Sequence, residues 1–133
     1  MKTILIQEAD DSIREVLSLI LEQEGYRICA FGHGSADTPY LIAQINPSLA
    51  LVDFNLSVES SISLCRRIKN LLPRLPVIAM SCNANIKNLY QRYGFNAYLE
   101  KPFELTVLLS TVRQYILPDD MPTATKKEIY PDF

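Results

Sequence analysis

The chain has 133 residues, 48% of them hydrophobic and 21% charged, with a formal net charge of −2. That is room for one domain with a sizeable core and too little for two ordinary ones, and the apolar content argues against an intrinsically disordered chain. No Lys/Arg block exceeds the pairs Arg66-Arg67 and Lys126-Lys127, which argues against direct nucleic-acid binding, and no stretch approaches the roughly 18 to 20 apolar residues of a membrane span.

The N-terminus lacks the charged and apolar regions of a signal peptide. Cys29, Cys65 and Cys82 are widely spaced, odd in number and without a CxxC, so neither a disulfide framework nor a zinc site is indicated. A soluble protein of the reducing cytoplasm is expected.

In chain order, Thr3 to Ile6 is a short apolar run that reads as a strand. It passes through QEADD, Gln7 to Asp11, into a helix whose Ile13, Val16, Leu17 and Ile20 follow i, i+3, i+4, i+7. Ser12 with Glu15 makes a capping box, and Gly25 sits where this helix should stop. A second strand covers Arg27 to Phe31, lone His33 lies in the following loop as a surface residue, and Leu41, Ile42 and Ile45 suggest a short helix. Leu49 to Val52 is the third strand, and Leu64, Ile68 and Leu71 give a face to a helix from about 59 to 72. Val77 to Met80 is the fourth strand, Ile86, Leu89, Tyr90 and Tyr93 mark a helix closed by Gly94, Ala97 to Leu99 is the fifth strand, and Leu105, Leu108, Leu109 and Val112 mark the last helix. After Leu117 the pattern ends in PDDMPTATKKEIYPDF, read as a tail or the start of a linker over 118–133 behind one domain over 1–117.

Strands that are apolar without alternation are buried on both faces, as in a parallel sheet covered by helices. The alternation predicts an α/β fold, a doubly wound (βα)5 domain with a five-stranded parallel sheet in flavodoxin-like order 2-1-3-4-5. The C-terminal strand ends then share one edge, where ligands bind in open sheets of this kind. Here Ile6 gives way to Gln7-Glu8, Val52 to Asp53, Met80 to Ser81, and Leu99 to Glu100-Lys101. Carboxylates gathered there suit a hard divalent cation such as Mg2+. A carboxylate is also a nucleophile for a phosphoryl group, whose oxygens a cation, an ammonium and a hydroxyl would stabilise.

These residues, in this order over about residues 2–117, resemble the receiver domain of bacterial two-component response regulators. The resemblance implies Asp53, in LVDFNL, as phosphoacceptor and Ser81 and Lys101 as contacts to the phosphoryl group. It implies Mg2+ held by Glu8, Asp53 and the backbone carbonyl of Asn55, a switch built from Ser81 and Tyr98, and a cis peptide before Pro102; beside these, Asp10 or Asp11 is a candidate to lean in as a further ligand. The implied partners are a histidine kinase or phosphotransfer protein on the input side. On the output side they are a protein or domain reached through the face of helix four, strand five and helix five. The implied role is signalling and not enzymatic.

Two positions depart from the pattern. Ala9 stands where the family has an Asp that ligates Mg2+ directly, so weakened metal binding is expected. Asp10 and Asp11 open helix one, where capping and the helix dipole account for carboxylates. In SVESS, Ser57 and Ser61 replace the family's Pro and Gly, which suggests altered loop geometry. Cys82 is expected to pack as a small hydrophobe, and Tyr98 is equally well read as a half-buried strand aromatic. Ala9 favours the alternative of a phosphorylation-independent pseudo-receiver serving as an interaction module. A haloacid-dehalogenase-type phosphatase would want a DxD motif after strand one, and a flavodoxin a Ser/Thr/Gly-rich phosphate loop; neither is present.

Overall fold

The uniformly apolar runs form strands because helices cover both of their faces. The computed structural model describes residues 1–35, 37–54 and 60–116. Within them the elements alternate as β1 (Thr3–Gln7), α1 (Asp11–Gln23), β2 (Arg27–Phe31), α2 (Thr38–Ile45), β3 (Leu49–Asp53), α3 (Ser60–Leu71), β4 (Val77–Ser81), α4 (Ile86–Leu89), β5 (Ala97–Glu100) and α5 (Leu105–Tyr115). All neighbouring strands are parallel, in the order β2-β1-β3-β4-β5. This is the doubly wound arrangement that the alternating pattern predicts.

Successive strand residues point to opposite faces, and each face has its own core. Ile4, Ile6, Leu49, Leu51, Ile78 and Met80 pack with Leu17 and Leu21 of α1 and Leu108 and Val112 of α5. On the other face, Leu5, Ala50, Val52, Val77 and Ala79 meet Ile42 of α2, Cys65 and Ile68 of α3 and Ile86 of α4. The strand residues of β3 from Leu49 to Val52 are fully buried, so the middle of the sheet is the rigid base on which its polar edge is built.

Several helical details differ from the sequence reading. The N-cap of α1 is Asp10, whose Oδ1 accepts from the Ile13 N–H at 3.0 Å; Ser12 already lies inside the helix, so no Ser12–Glu15 capping box forms. Val16, Leu41, Leu71 and Leu105 are exposed. Leu17, Leu21, Ile13 and Ile20 already fill the stripe of about 100° that a packed helix buries, and Val16 falls at its margin. In α3 the buried line is Ser61, Cys65 and Ile68. The fourth helix is only Ile86–Leu89; the chain then turns as far as Gly94, whose φ of 91° suits a residue without Cβ. Tyr90 and Tyr93 serve as aromatic packing there and do not continue the helix: Phe54 contacts Tyr93 and Phe95, with ring centroids 5.7 and 5.5 Å apart, and Tyr90 contacts Tyr98. Cys82 is exposed, because it follows Ser81, the last residue of β4 in register with β5. Asn55, Ser57 and the 118–133 tail lie outside the described residues.

Candidate functional site

Glu8 directly follows β1, Asp53 ends β3, Ser81 ends β4, and Lys101 directly follows β5. The parallel sheet therefore delivers all four to one edge. Lys101 Nζ donates to Asp53 Oδ1 at 3.0 Å and also to Glu8 Oε1. The Lys101 side chain is 9% exposed and that of Glu8 1%, whereas that of Asp53 is 21% exposed. One carboxylate is thus sealed into the protein and the other opens toward solvent.

Main-chain groups complete the corner. The Asp10 N–H donates to Glu8 Oε2 at 3.1 Å, and the Ala9 N–H donates to Asp53 Oδ2 at 3.4 Å. Ala9 itself is exposed and contributes a methyl where a third carboxylate would stand. Ser81 is buried; its hydroxyl accepts from the Asn83 N–H at 3.0 Å, and its carbonyl accepts from the Lys101 N–H at 2.8 Å. The Lys101–Pro102 peptide is cis. Tyr98 is half-buried against Tyr90, ring centroids 5.1 Å apart.

The three charged groups hold one another's protonation states. Burial pushes the Glu8 carboxyl above its ordinary value of 4.5, against the hydrogen bond from Lys101 and helped by the one shared with Asp53. Burial acts the same way on Asp53, but hydrogen bonds with Glu8 and Lys101, the Lys101 charge and the Ala9 N–H outweigh it and hold Asp53 below 3.8. Burial opposes the charge on Lys101, and its bonds to Glu8 and Asp53 override that and raise it above 10.5. Two neighbouring carboxylates share their protons unequally. Asp53 is the more acidic of the two and the more open to solvent.

Among the described residues, no group of three or more His, Cys, Asp or Glu side chains is placed to hold a metal ion. What remains is Glu8 and Asp53. Two hard carboxylates with water are a donor set that Mg2+ accepts, so these residues fit the ion in reduced form. Asp10, the further candidate, uses Oδ1 as the cap of α1.

Three residues that the sequence reading did not single out brace this corner. Arg14, on α1, donates from Nη1 to the Glu8 carbonyl at 2.8 Å and pairs through Nη2 with Asp11 at 2.5 Å. A Cβ on Gly32 would lie 2.9 Å from Arg14 Nη1, so Gly32 leaves the guanidinium its place. Gln7 reaches both Gly32 and Asp53: its Nε2 donates to the Gly32 carbonyl at 2.7 Å, and its Oε1 accepts from the Asp53 N–H at 3.1 Å. The signals in sequence were a polar residue at the end of an apolar strand and an Arg three positions after Asp11, each too common to be informative alone.

The chain is thus a doubly wound parallel sheet with carboxylates, a hydroxyl and an ammonium at its carboxyl edge, and the family model for the response regulator receiver domain matches residues 4–113. The chain belongs to that family, whose members are modules of two-component signalling. It is 35% identical over 112 residues to the transcriptional regulatory protein CseB of Streptomyces coelicolor, an alignment covering 83% of this chain and 47% of that protein. It is 32% identical over 126 residues to the phosphate regulon transcriptional regulatory protein PhoB of Pseudomonas aeruginosa, covering 90% and 55%. The chain thus spans about half the length of the curated relatives it matches. A crystal structure of a putative response regulator from Chloroflexus aurantiacus superposes with a TM-score of 0.76 at 28% identity, covering 86% of this chain and 96% of that one. The response regulator TrrA of Thermotoga maritima, solved in complex with Mg2+ and BeF, gives a TM-score of 0.75 at 21% identity over 87% and 100%, a likeness of fold.

Proposed function

We propose that Asp53 accepts a phosphoryl group from a phosphohistidine on a histidine kinase or phosphotransfer protein. The observation that carries this is the pairing of a half-open, anionic Asp53 with Lys101 at 3.0 Å on the carboxyl edge of the sheet. An Asp53 carboxylate oxygen attacks phosphorus, the P–N bond to the donor imidazole breaks, and the imidazole keeps the electron pair and takes a proton. Lys101 then turns from a carboxylate toward the new phosphoryl oxygens, and the Ser81 hydroxyl offers a further contact. Glu8 and Asp53 would hold Mg2+ largely through water, with the Asn55 carbonyl as a further ligand; when bound, the ion neutralises charge on the transferred group.

Redirecting Lys101 releases Glu8 and Asp53, and Lys101 directly follows β5, where Tyr98 packs on Tyr90 of the α4 turn. The α4–β5–α5 face is thus the surface whose contacts change, toward a partner protein or an attached output domain. A net charge of −2 suits protein contacts better than nucleic acid, so any DNA contact belongs to the output side. No helix among the described residues is long and apolar enough to cross a membrane. With Cys29, Cys65 and Cys82 all free, we place the protein in the cytoplasm.

One observation favours a second reading. With a methyl at Ala9, Lys101 engages both remaining carboxylates and leaves the pocket largely compensated without metal, as a phosphorylation-independent pseudo-receiver would have. Incubation with Mg2+ and acetyl phosphate followed by intact mass separates the two. One phosphoryl adduct in the wild type, absent in Asp53→Asn, supports the acceptor; no adduct in either supports the pseudo-receiver.

A further inference from the structure

The geometry points to Gln7 as a positioning residue that fixes the main chain of Asp53. This rests on the acceptor role proposed for Asp53. The register of β1 with β2 ends at Gln7 and Phe31, and its register with β3 ends at Gln7 and Val52. Asp53 is therefore the first residue of β3 beyond the last β1 pair, and its N–H finds its partner in a side chain. Gln7 Oε1 accepts that N–H at 3.1 Å while Gln7 Nε2 donates to the Gly32 carbonyl, just past β2, at 2.7 Å. The side-chain amide thus acts as an inserted peptide unit, carrying the hydrogen bonding of three strands one residue further than their backbones do.

Chemistry makes the residue type specific. The Asp53 N–H demands an acceptor and the Gly32 carbonyl demands a donor, so both ends of the amide are assigned by their partners. An ionised Glu supplies no donor, and an apolar side chain supplies neither. On its β4 side the same segment is held by the Phe54 N–H, which donates to the Met80 carbonyl at 2.7 Å, and the Asp53 carboxylate is held by Lys101 and the Ala9 N–H. Gln7 is the tie on the β1 side. In-line attack depends on sub-ångström placement of the nucleophile, so loosening this tie lowers the rate of phosphorylation without altering how the phosphodonor binds.

The test compares wild type with Gln7→Met, which keeps length and loses both hydrogen bonds, and with Gln7→Glu, which loses the donor. Amide hydrogen exchange is followed at Asp53 and, as an internal reference, at Leu51; phosphorylation is followed with acetyl phosphate and Mg2+. The expected result for Gln7→Met is Asp53 exchange faster by about tenfold with Leu51 unchanged, and a maximal phosphorylation rate about tenfold lower at an unchanged half-saturating acetyl phosphate concentration. Gln7→Glu should also lose rate. Unchanged Asp53 exchange, or a uniform loss of protection that includes Leu51, overturns the inference. Should Gln7→Met fail to fold, the wild-type Gln7 side-chain amide decides: protons exchanging as slowly as buried backbone amides support the tie, and exchange at the rate of an exposed Gln overturns it. If Asp53 exchange responds to Gln7→Met but neither protein is phosphorylated, the tie stands and the acceptor reading fails.

Discussion

Replacing Ala9 by Asp restores a carboxylate to the one place in the acidic corner where the chain carries a methyl. The Ala9 N–H lies 3.4 Å from Asp53 Oδ2, so a carboxylate on this residue joins Glu8 and Asp53 around the same point. Its attraction for a divalent cation about 4 to 5 Å away is roughly 2 kcal/mol even at the dielectric constant of water, and about 1 kcal/mol after screening at physiological salt. The corner is drier than water and direct ligation adds to this, so Ala9→Asp should raise Mg2+ affinity by about tenfold or more. The added charge also repels Glu8 and Asp53 when no metal is present, so the variant should melt below the wild type in chelator and gain more from Mg2+. At 100 times the dissociation constant that gain is about 2.7 kcal/mol. The chain has no Trp, which rules out the usual fluorescence-quenching titration. Calorimetric titration with Mg2+, with Mg2+-dependent melting beside it, measures both effects. Equal affinities for the two proteins would refute the idea that Ala9 is what weakens the site.

Lys101→Met strands two carboxylates beside each other and should cost about 3 kcal/mol at pH 7, as removal of one partner from a buried pair does; urea melts should show a smaller cost at pH 4, where the carboxylates take up protons. For Glu8→Gln the sign follows from the raised carboxyl of Glu8: its contribution to stability is present below 4.5 and lost as pH rises through its higher folded value. The variant should therefore compare more favourably with wild type at pH 7 than at pH 4 in thermal melts, opposite to the trend from Asp53, whose lowered carboxyl contributes above 3.8 and loses that contribution on acidification. Asp10→Ala should cost about 1 kcal/mol through loss of the α1 cap, and Ser12→Ala under about 0.5 kcal/mol as an exposed residue inside the helix; the reverse order in urea midpoints would restore Ser12 as the cap.

The strands were legible because burial on both faces leaves almost no polar residue between Thr3 and Ile6, Leu49 and Val52 or Val77 and Met80. Each apolar run, Ala97 to Leu99 included, turns polar within two residues of its end, which is why Glu8, Asp53, Ser81 and Lys101 were found together. Helix boundaries were less legible, since Tyr90 and Tyr93 fit a helical period and are used instead to pack a turn against Tyr98 and Phe54. Asp10 displaced Ser12 as the cap because either residue type serves and only backbone geometry decides between them. The braces from Gln7, Arg14 and Gly32 connect residues 25 and 46 positions apart or depend on a missing Cβ, contacts that no local pattern encodes. Ala9 was legible as a substitution, and its effect on the metal is a matter of energy that the residue identity leaves open.

If Asp53, Ser81 and Lys101 together hold a phosphoryl group, beryllofluoride with Mg2+ reveals it without depending on the speed of phosphorylation. Fluorine and amide NMR of the wild type should show a saturable, Mg2+-dependent bound species with shifts concentrated at Asp53, Ser81 and Lys101, lost in Asp53→Asn. No bound fluorine signal at any Mg2+ concentration, or the same signal in Asp53→Asn, would contradict it.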